Sequence, residues 1–193
     1  MEKFAFILHP LSLQDMEHLS PLMRYIPDPI IEACLKMKKP FKVSHITGIK
    51  SPYAEAEGWF IGCPLTAKQM VELPEEFVMD RIIESGKVAQ ELGAKIVGLG
   101  AFTSIVGDAG ITVAKNLDIA VTSGNSYTVA TAIQGTKQAA RMMGKDLKEC
   151  RAVVVGATGS IGAASVRLLA KEVKHITLVA RHMGPLEELA QEL

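Results

Sequence analysis

Residues 151–181, RAVVVGATGSIGAASVRLLAKEVKHITLVAR, decide the fold. The valine run Val153–Val155 predicts a strand that is buried on both faces. Glycines follow at the first, fourth and seventh positions of GATGSIG, and a helix of small residues comes next. A second strand is expected at Ile176–Ala180. This order of strand, glycine-rich turn, helix and strand is typical of the first half-unit of a dinucleotide-binding fold.

Each glycine of the turn has a physical reason. Gly156 permits a tight turn out of the strand, Gly159 lets the backbone approach a pyrophosphate, and Gly162 lets helix and strand pack closely. The helix that follows directs its amide donors and its positive dipole end at the phosphates. A turn that needs glycine only for its shape is the alternative. We predict that the cofactor-binding residues of the turn are Gly156, Ala157, Thr158, Gly159, Ser160, Ile161 and Gly162.

Arg181 stands where the second strand ends. An Asp or Glu usually occupies this place when the bound nucleotide is NAD. A guanidinium instead offers donors and a positive charge to a 2′-phosphate. We therefore predict that the cofactor is NADP(H) and that Arg181 binds it; a surface arginine without a ligand is the alternative.

Composition excludes several other classes of function. The chain has 193 residues, 48% of them hydrophobic and 22% charged, and its formal net charge is zero. A large core is therefore expected, and neither nucleic acid nor an anionic membrane is an expected partner. The three cysteines form no CxxC pair, so we expect no metal site and a cytoplasmic location. No stretch approaches the length of a membrane-spanning helix.

The residues before the turn alternate between strand and helix patterns, which predicts an α/β fold with a mostly parallel sheet. We expect a three-layer α/β substrate domain in residues 1–145, followed by the first part of a Rossmann NAD(P)-binding domain in residues 146–193. Strands are predicted at Lys3–Leu8, Phe41–Ile49, Gly58–Cys63, Lys95–Leu99 and Ile119–Val121. Helices are predicted at Ser12–Tyr25, Ile30–Met37, Thr66–Leu73, Glu76–Leu92, Gly110–Asn116, Tyr127–Met143 and from Pro185 onward.

The dinucleotide-binding unit stops soon after its second strand, so apolar sheet surface is expected to stay uncovered. Either the chain is a fragment of a longer protein or another copy completes its sheet, and we favour the fragment. We expect this fragment to be inactive alone, and a homo-oligomer is possible.

Two polar loops, residues 98–104 and 122–128, each follow a predicted strand. They therefore lie at the carboxyl edge of a parallel sheet, where ligands bind in open α/β folds. Their hydroxyl and amide groups suit a polar substrate group or the nicotinamide, although helix capping explains hydroxyls there equally well. The candidates for a catalytic role are Ser104, Asn125 and Thr128, with Asn125 favoured.

Other reactive side chains give weaker signals. Cys63 follows a strand, but a buried inert thiol is the favoured interpretation over a nucleophile. The histidines are scattered along the chain. Asp108 is interpreted as a turn residue.

Three blocks resemble the long-chain acyl-acyl-carrier-protein reductases: GLGAFTSIV at 98–106, TSGNSYTVATA at 122–132 and VVVGATGSIGAASVRLL at 153–169. The resemblance implies NADPH-dependent reduction of a fatty acyl thioester to an aldehyde, on a fold related to shikimate dehydrogenase. It also implies a carrier-bound or small-molecule acyl substrate. The family's acyl-accepting cysteine has no counterpart here, and Tyr127 replaces the histidine of the family's Gly-Asn-Thr-His-Thr loop.

Three functions are compatible with these features. The first is the NADPH-dependent reduction of an acyl-carrier-protein or coenzyme A thioester, with its carbonyl held between the 122–128 loop and the glycine-rich turn. The second is a shikimate-dehydrogenase-like reductase of a small keto or hydroxy acid, for which no convincing Lys/Asp pair is found. The third is a non-catalytic NADP-binding regulator.

Overall fold

The computed structural model describes residues 2–16 and 24–193. The chain divides into two compact units, unit 1 (Met1–Ser123) and unit 2 (Gly124–Leu193). This division groups residues 124–145 with the glycine-rich turn, whereas the predicted domain boundary lies at residue 145. The assignment of a substrate domain and a nucleotide domain stays a prediction.

Unit 1 is a five-stranded sheet in the order β2-β3-β1-β4-β5 with helices packed against it, within the part of the chain that the structure describes. The strand β1 pairs in parallel with β3 and β4, and β4 pairs in parallel with β5; only β2 runs antiparallel, against β3. The predicted α/β class with a mostly parallel sheet is thereby confirmed. The strands are β1 (Glu2–Leu8), β2 (Phe41–Lys50), β3 (Glu55–Gly62), β4 (Ile96–Leu99) and β5 (Ala120–Thr122). The helices are α1 (Asp28–Met37), α2 (Ala67–Glu72), α3 (Glu75–Glu91) and α4 (Ile111–Lys115).

The core of unit 1 lies on one face of this sheet. Alternate residues of β1, Ala5 and Ile7, are buried because strand side chains point to opposite faces in turn. They pack in one cluster with Val78 and Ile82 of α3. The stretch that follows β3 is buried too, and α2 begins there with a capping box between Thr66 and Gln69.

Unit 2 holds the glycine-rich turn. Its elements are α5 (Asn125–Met142), β6 (Arg151–Val155), α6 (Ser160–Leu169), β7 (His175–Val179) and α7 (Met183–Gln191). The strands β6 and β7 pair in parallel. One face of this pair is covered, since Val154 and Ile176 contact buried residues of α5, α6 and α7.

The other face of the β6–β7 pair is bare. Val153 is 63% exposed and Val155 is 79% exposed. The valine run was predicted to form a strand buried on both faces, but only the side that carries Val154 is covered here. The exposed valines on this face agree with the expectation that apolar sheet surface stays uncovered.

The helices and strands lie near their predicted positions, and the main differences concern two helices. The predicted helix Ser12–Tyr25 is represented by a 3-10 turn at Leu13–Met16, and its residues 17–23 lie outside the described residues. The helix expected from Tyr127 begins two residues earlier, because Gly124 adopts φ 74° and forms its N-cap. Among the described residues, no helix is long and apolar enough to cross a membrane.

Candidate nucleotide-binding site

The register of β6 against β7 brings the predicted cofactor residues to one edge. Val155 pairs with Val179, so the turn after β6 and the residues after β7 leave the sheet side by side. Between them lies a groove of about 570 Å³. It is lined by Val155, Gly156, Thr158, Gly159, Val179, Ala180, Arg181 and His182.

The glycine-rich turn is built from backbone hydrogen bonds. Gly156 has φ 77°, a left-handed conformation that glycine adopts without steric cost. The N–H groups of Gly156 and Ala157 both donate to the carbonyl of Val179, at 2.8 and 3.0 Å. The N–H of Gly159 donates back to the carbonyl of Gly156 at 3.0 Å. The turn is therefore held by β7 and by itself.

Gly162 is the point of closest packing. A Cβ at this position would collide with the carbonyl oxygen of Gly156 and would lie 3.1 Å from the Cα of Ala157. Gly156 and Gly159 face more open space: a Cβ would meet nothing within 4 Å at Gly156, and the Gly156 carbonyl oxygen at 3.3 Å at Gly159. The close helix–strand approach expected of the last glycine is thus present.

The residues of the turn do not all face the groove. The side chain of Ala157 is fully buried and packs with Val166 and Leu189, while its N–H is bonded to β7. Its side chain therefore contributes to packing, and its predicted contact with the cofactor stays a prediction. The α6 helix starts at Ser160 behind Gly159, with no side-chain cap. The first N–H groups of a helix have no partner inside it, so those of Ser160, Ile161 and Gly162 are the donors placed for an anion.

Arg181 is exposed beside the turn, directly after β7 and Ala180. Its guanidinium forms no ion pair within residues 2–16 and 24–193. A cation without a carboxylate partner suits a phosphate group. One groove thus combines three features: open space at Gly156, an uncapped helix start and, within the described residues, the unpaired guanidinium of Arg181. These features fit NADP(H).

The structure joins Asn125, the favoured catalytic candidate, to Ser160 of the predicted cofactor site. The side-chain amide Nδ2 of Asn125 donates to the hydroxyl Oγ of Ser160 at 2.8 Å. Thr128 lies one turn further along α5, and its hydroxyl donates to the carbonyl of Gly124 at 3.1 Å. The Asn125–Ser160 contact was not predicted, because nothing local pairs residues so far apart in sequence.

Ser104 belongs to unit 1 and is half-buried in the 3-10 turn Ala101–Ser104 after β4. Its hydroxyl donates to the carbonyl of Ala101 at 2.7 Å, so it bonds inside its own turn and does not cap a helix. The backbone of Ala101 has φ 47°, a conformation that non-glycine residues rarely adopt.

His9 stabilises the same turn, a role that no sequence pattern indicated. Its Nε2 accepts a hydrogen bond from the N–H of Phe102 at 3.2 Å, and its Nδ1 lies 3.0 Å from the carbonyl of Pro10. Accepting at Nε2 leaves the proton on Nδ1, where it is donated to Pro10. His9 is therefore held as a structural histidine between the ends of β1 and β4.

Cys63 is not placed as a nucleophile. Its side chain is fully buried, and burial raises the pKa of the thiol to about 11. The thiolate is the reactive form, so the interpretation as an inert buried cysteine is favoured. Asp108 accepts hydrogen bonds from the N–H and the hydroxyl of Thr112, which lower the pKa of its carboxyl. These hydrogen bonds stabilise the first turn of α4, in agreement with the interpretation of Asp108 as a turn residue.

Comparison with known proteins gives partial likenesses. No protein-family model matches the chain. The long-chain acyl-[acyl-carrier-protein] reductase of Synechococcus elongatus is 27% identical over 209 residues, which cover 98% of this chain and 59% of that protein. The aminotransferase PigE of a Serratia species is 34% identical over 128 residues, covering 66% of this chain and 14% of that protein. The chain thus spans only part of either relative.

Among solved structures, the chain is similar to an aspartate racemase homologue from Pyrococcus horikoshii. The TM-score is 0.40 and the identity 13%, over 98% of this chain and 69% of that one. A likeness of this size supports no conclusion about fold or function.

Proposed function

We propose that this chain belongs to an NADPH-dependent oxidoreductase that reduces a fatty acyl thioester to an aldehyde. The observation that carries the proposal is the shared groove of unit 2, in which the glycine-rich turn and Arg181 lie at one sheet edge. The likeness to an acyl-carrier-protein reductase over nearly the whole chain supports the choice of substrate class. An acyl group on a carrier protein or on coenzyme A is the proposed substrate.

In this reaction the carbonyl carbon accepts a hydride from NADPH, the carbon–sulfur bond breaks, and the carrier leaves as a thiol after taking up a proton. The residues of unit 2 bind and orient. The amide donors at the start of α6 hold the pyrophosphate, and Arg181 holds the 2′-phosphate. We assign no step to Cys63, because its thiol is buried and protonated near neutral pH.

The cofactor half of the proposal is tested by binding. Titration calorimetry of the chain should give tighter binding of NADPH than of NADH. Arg181→Glu should weaken NADPH binding by at least tenfold, because one charge-assisted contact is lost and a repulsion is added. Arg151→Glu makes the same charge change at the opposite end of β6, and it should leave the preference intact.

Equal affinity of the unsubstituted chain for NADH and NADPH would refute the role of Arg181. The reaction half is tested on the native protein that carries this chain, supplied with palmitoyl-acyl-carrier-protein and NADPH. One hexadecanal should form for each NADPH oxidised. NADPH binding without aldehyde formation would reject the thioester as substrate and leave the cofactor assignment standing.

A further inference from the structure

We propose that Asn125 is a positioning residue for the cofactor: it orients the hydroxyl of Ser160 so that this hydroxyl donates its proton to a phosphate of the dinucleotide. The inference rests on the proposed function, since it requires a dinucleotide at the glycine-rich turn. It assigns Asn125 a role different from that of a catalytic group.

The contact joins the first residues of two helices. Asn125 begins α5 and Ser160 begins α6, and the distance from Nδ2 to Oγ is 2.8 Å. Behind them, Val129 and Ile133 of α5 pack with Leu169 of α6 in a buried cluster. The position of Asn125 against Ser160 is therefore set by the packing of two helices.

The direction of the hydrogen bond decides what Ser160 can do. An amide nitrogen only donates, so the oxygen of Ser160 is the acceptor. A hydroxyl has one proton, and that proton remains available for another acceptor. The neighbouring donors at the start of α6 point where an anion would bind, so a phosphate oxygen is the acceptor that this place favours.

The experiment measures NADPH dissociation constants for the unsubstituted protein, Asn125→Ala, Ser160→Ala, the double variant and Asn125→Asp, together with two further variants, Ser160→Thr and Thr131→Ala. Loss of the Ser160 hydroxyl should weaken binding about tenfold, as for a hydrogen bond to a charged group. Asn125→Ala should weaken binding several-fold. The double variant should bind no more weakly than Ser160→Ala, because Asn125 acts through Ser160.

Asn125→Asp separates positioning from packing. A carboxylate of nearly the same size can only accept, so it turns the Ser160 proton away from the ligand. This variant should bind NADPH more weakly than Asn125→Ala does. Ser160→Thr keeps the hydroxyl and should restore binding to within about threefold of the unsubstituted chain.

Thr131→Ala is the matched control. Thr131 is an exposed residue of α5 whose hydroxyl bonds only carbonyls of its own helix, those of Tyr127 and Thr128, among the described residues. Its loss should leave the dissociation constant unchanged. The melting temperature of each variant identifies any form that fails to fold. If an alanine variant does not fold, the conservative variants Ser160→Thr and Asn125→Asp decide whether Asn125 positions Ser160.

The outcomes distinguish this inference from the proposed function. If the unsubstituted chain binds NADPH and Asn125→Ala binds it equally well, the positioning role is wrong and the cofactor assignment stands. Additive effects of the two alanine substitutions would also reject it, because each side chain would then act alone. If the unsubstituted chain binds no NADPH, both proposals fail.

Discussion

The carboxyl edges of the parallel strands differ between the two units. In unit 1 the polar groups at this edge are used internally: His9 binds the turn after β4, and Ser104 bonds a carbonyl of that turn. In unit 2 the edge is a groove with an uncapped helix start and an unpaired arginine in the described chain. Equivalent positions in the two sheets thus differ in whether their hydrogen-bond donors are already engaged within the protein.

The groove of unit 2 depends most on Gly162. In Gly162→Ala the added methyl group would meet the carbonyl of Gly156, so the turn must move away from α6. We expect unit 2 to lose about 3 kcal/mol of its free energy of unfolding, as in strong overpacking, and NADPH binding to disappear. Hydrogen exchange of the β6 and β7 amides in the native protein measures this loss.

Gly135→Ala is the control for the same change in the same unit. A Cβ at Gly135 meets nothing within 4 Å, and the residue lies inside α5. Alanine should raise the free energy of unfolding by about 0.5 to 1 kcal/mol, because glycine is a poor helix former. Equal effects of the two substitutions would mean that the turn at Gly162 is not tightly packed.

The carboxyl edge of unit 1 can be tested through Cys63, which follows β3. Its pKa is raised by burial from 9.0 to about 11, so the folded protein keeps a proton that the unfolded chain loses above pH 9. The free energy of unfolding should fall between pH 9 and 11, by up to about 2 to 3 kcal/mol. Urea unfolding across this range measures the slope.

Cys63→Ala removes this titration, so its stability should depend less steeply on pH over the same range. Parallel slopes for the two proteins would show that the thiol is accessible to water at this edge. The difference in slope is the relevant quantity, since alanine also changes the packing.

The smallest effects are expected in the turn after β4. Thr103 is 1% exposed, and its hydroxyl donates to the carbonyl of Gly100 at 2.7 Å. Thr103→Val keeps the shape and should cost about 1 kcal/mol of stability. Ser104→Ala removes the bond of a half-buried hydroxyl and should cost less than about 0.5 kcal/mol. Urea unfolding measures both losses. A larger loss of stability in Ser104→Ala than in Thr103→Val would indicate that Ser104 holds this turn.

The strand, turn and helix beside the groove of unit 2 were predictable from sequence, whereas the long-range side-chain contacts in both units were not. A strand, a glycine-rich turn and a helix are set by neighbouring residues, and parallel strands bring Gly156 and Arg181 to the same edge. The partner of His9 is 93 residues away and that of Asn125 is 35 residues away. No periodicity or motif specifies such pairs, because helix packing and the order of the strands decide them.

The direction of β2 was missed for a related reason. Its alternating pattern indicates a half-exposed strand but gives no orientation. The connection to β3 is short, with the Ser51 hydroxyl accepting hydrogen bonds from the N–H groups of Tyr53 and Ala54. The first residues of β3 are polar and do not match a strand pattern, so this strand was predicted to begin only at Gly58. The gap between the two predicted strands was therefore too long to indicate a hairpin.

The pairing of Val155 with Val179 has an evolutionary consequence. Arg181 reaches the groove from β7, whereas the turn that would hold the pyrophosphate belongs to β6 and α6. The two parts come from separate stretches of chain that meet through the pairing of β6 with β7. Under the proposed function, selection can therefore exchange the residues after β7, and with them the preference between phosphorylated and unphosphorylated dinucleotides, while the glycine-rich turn remains the same.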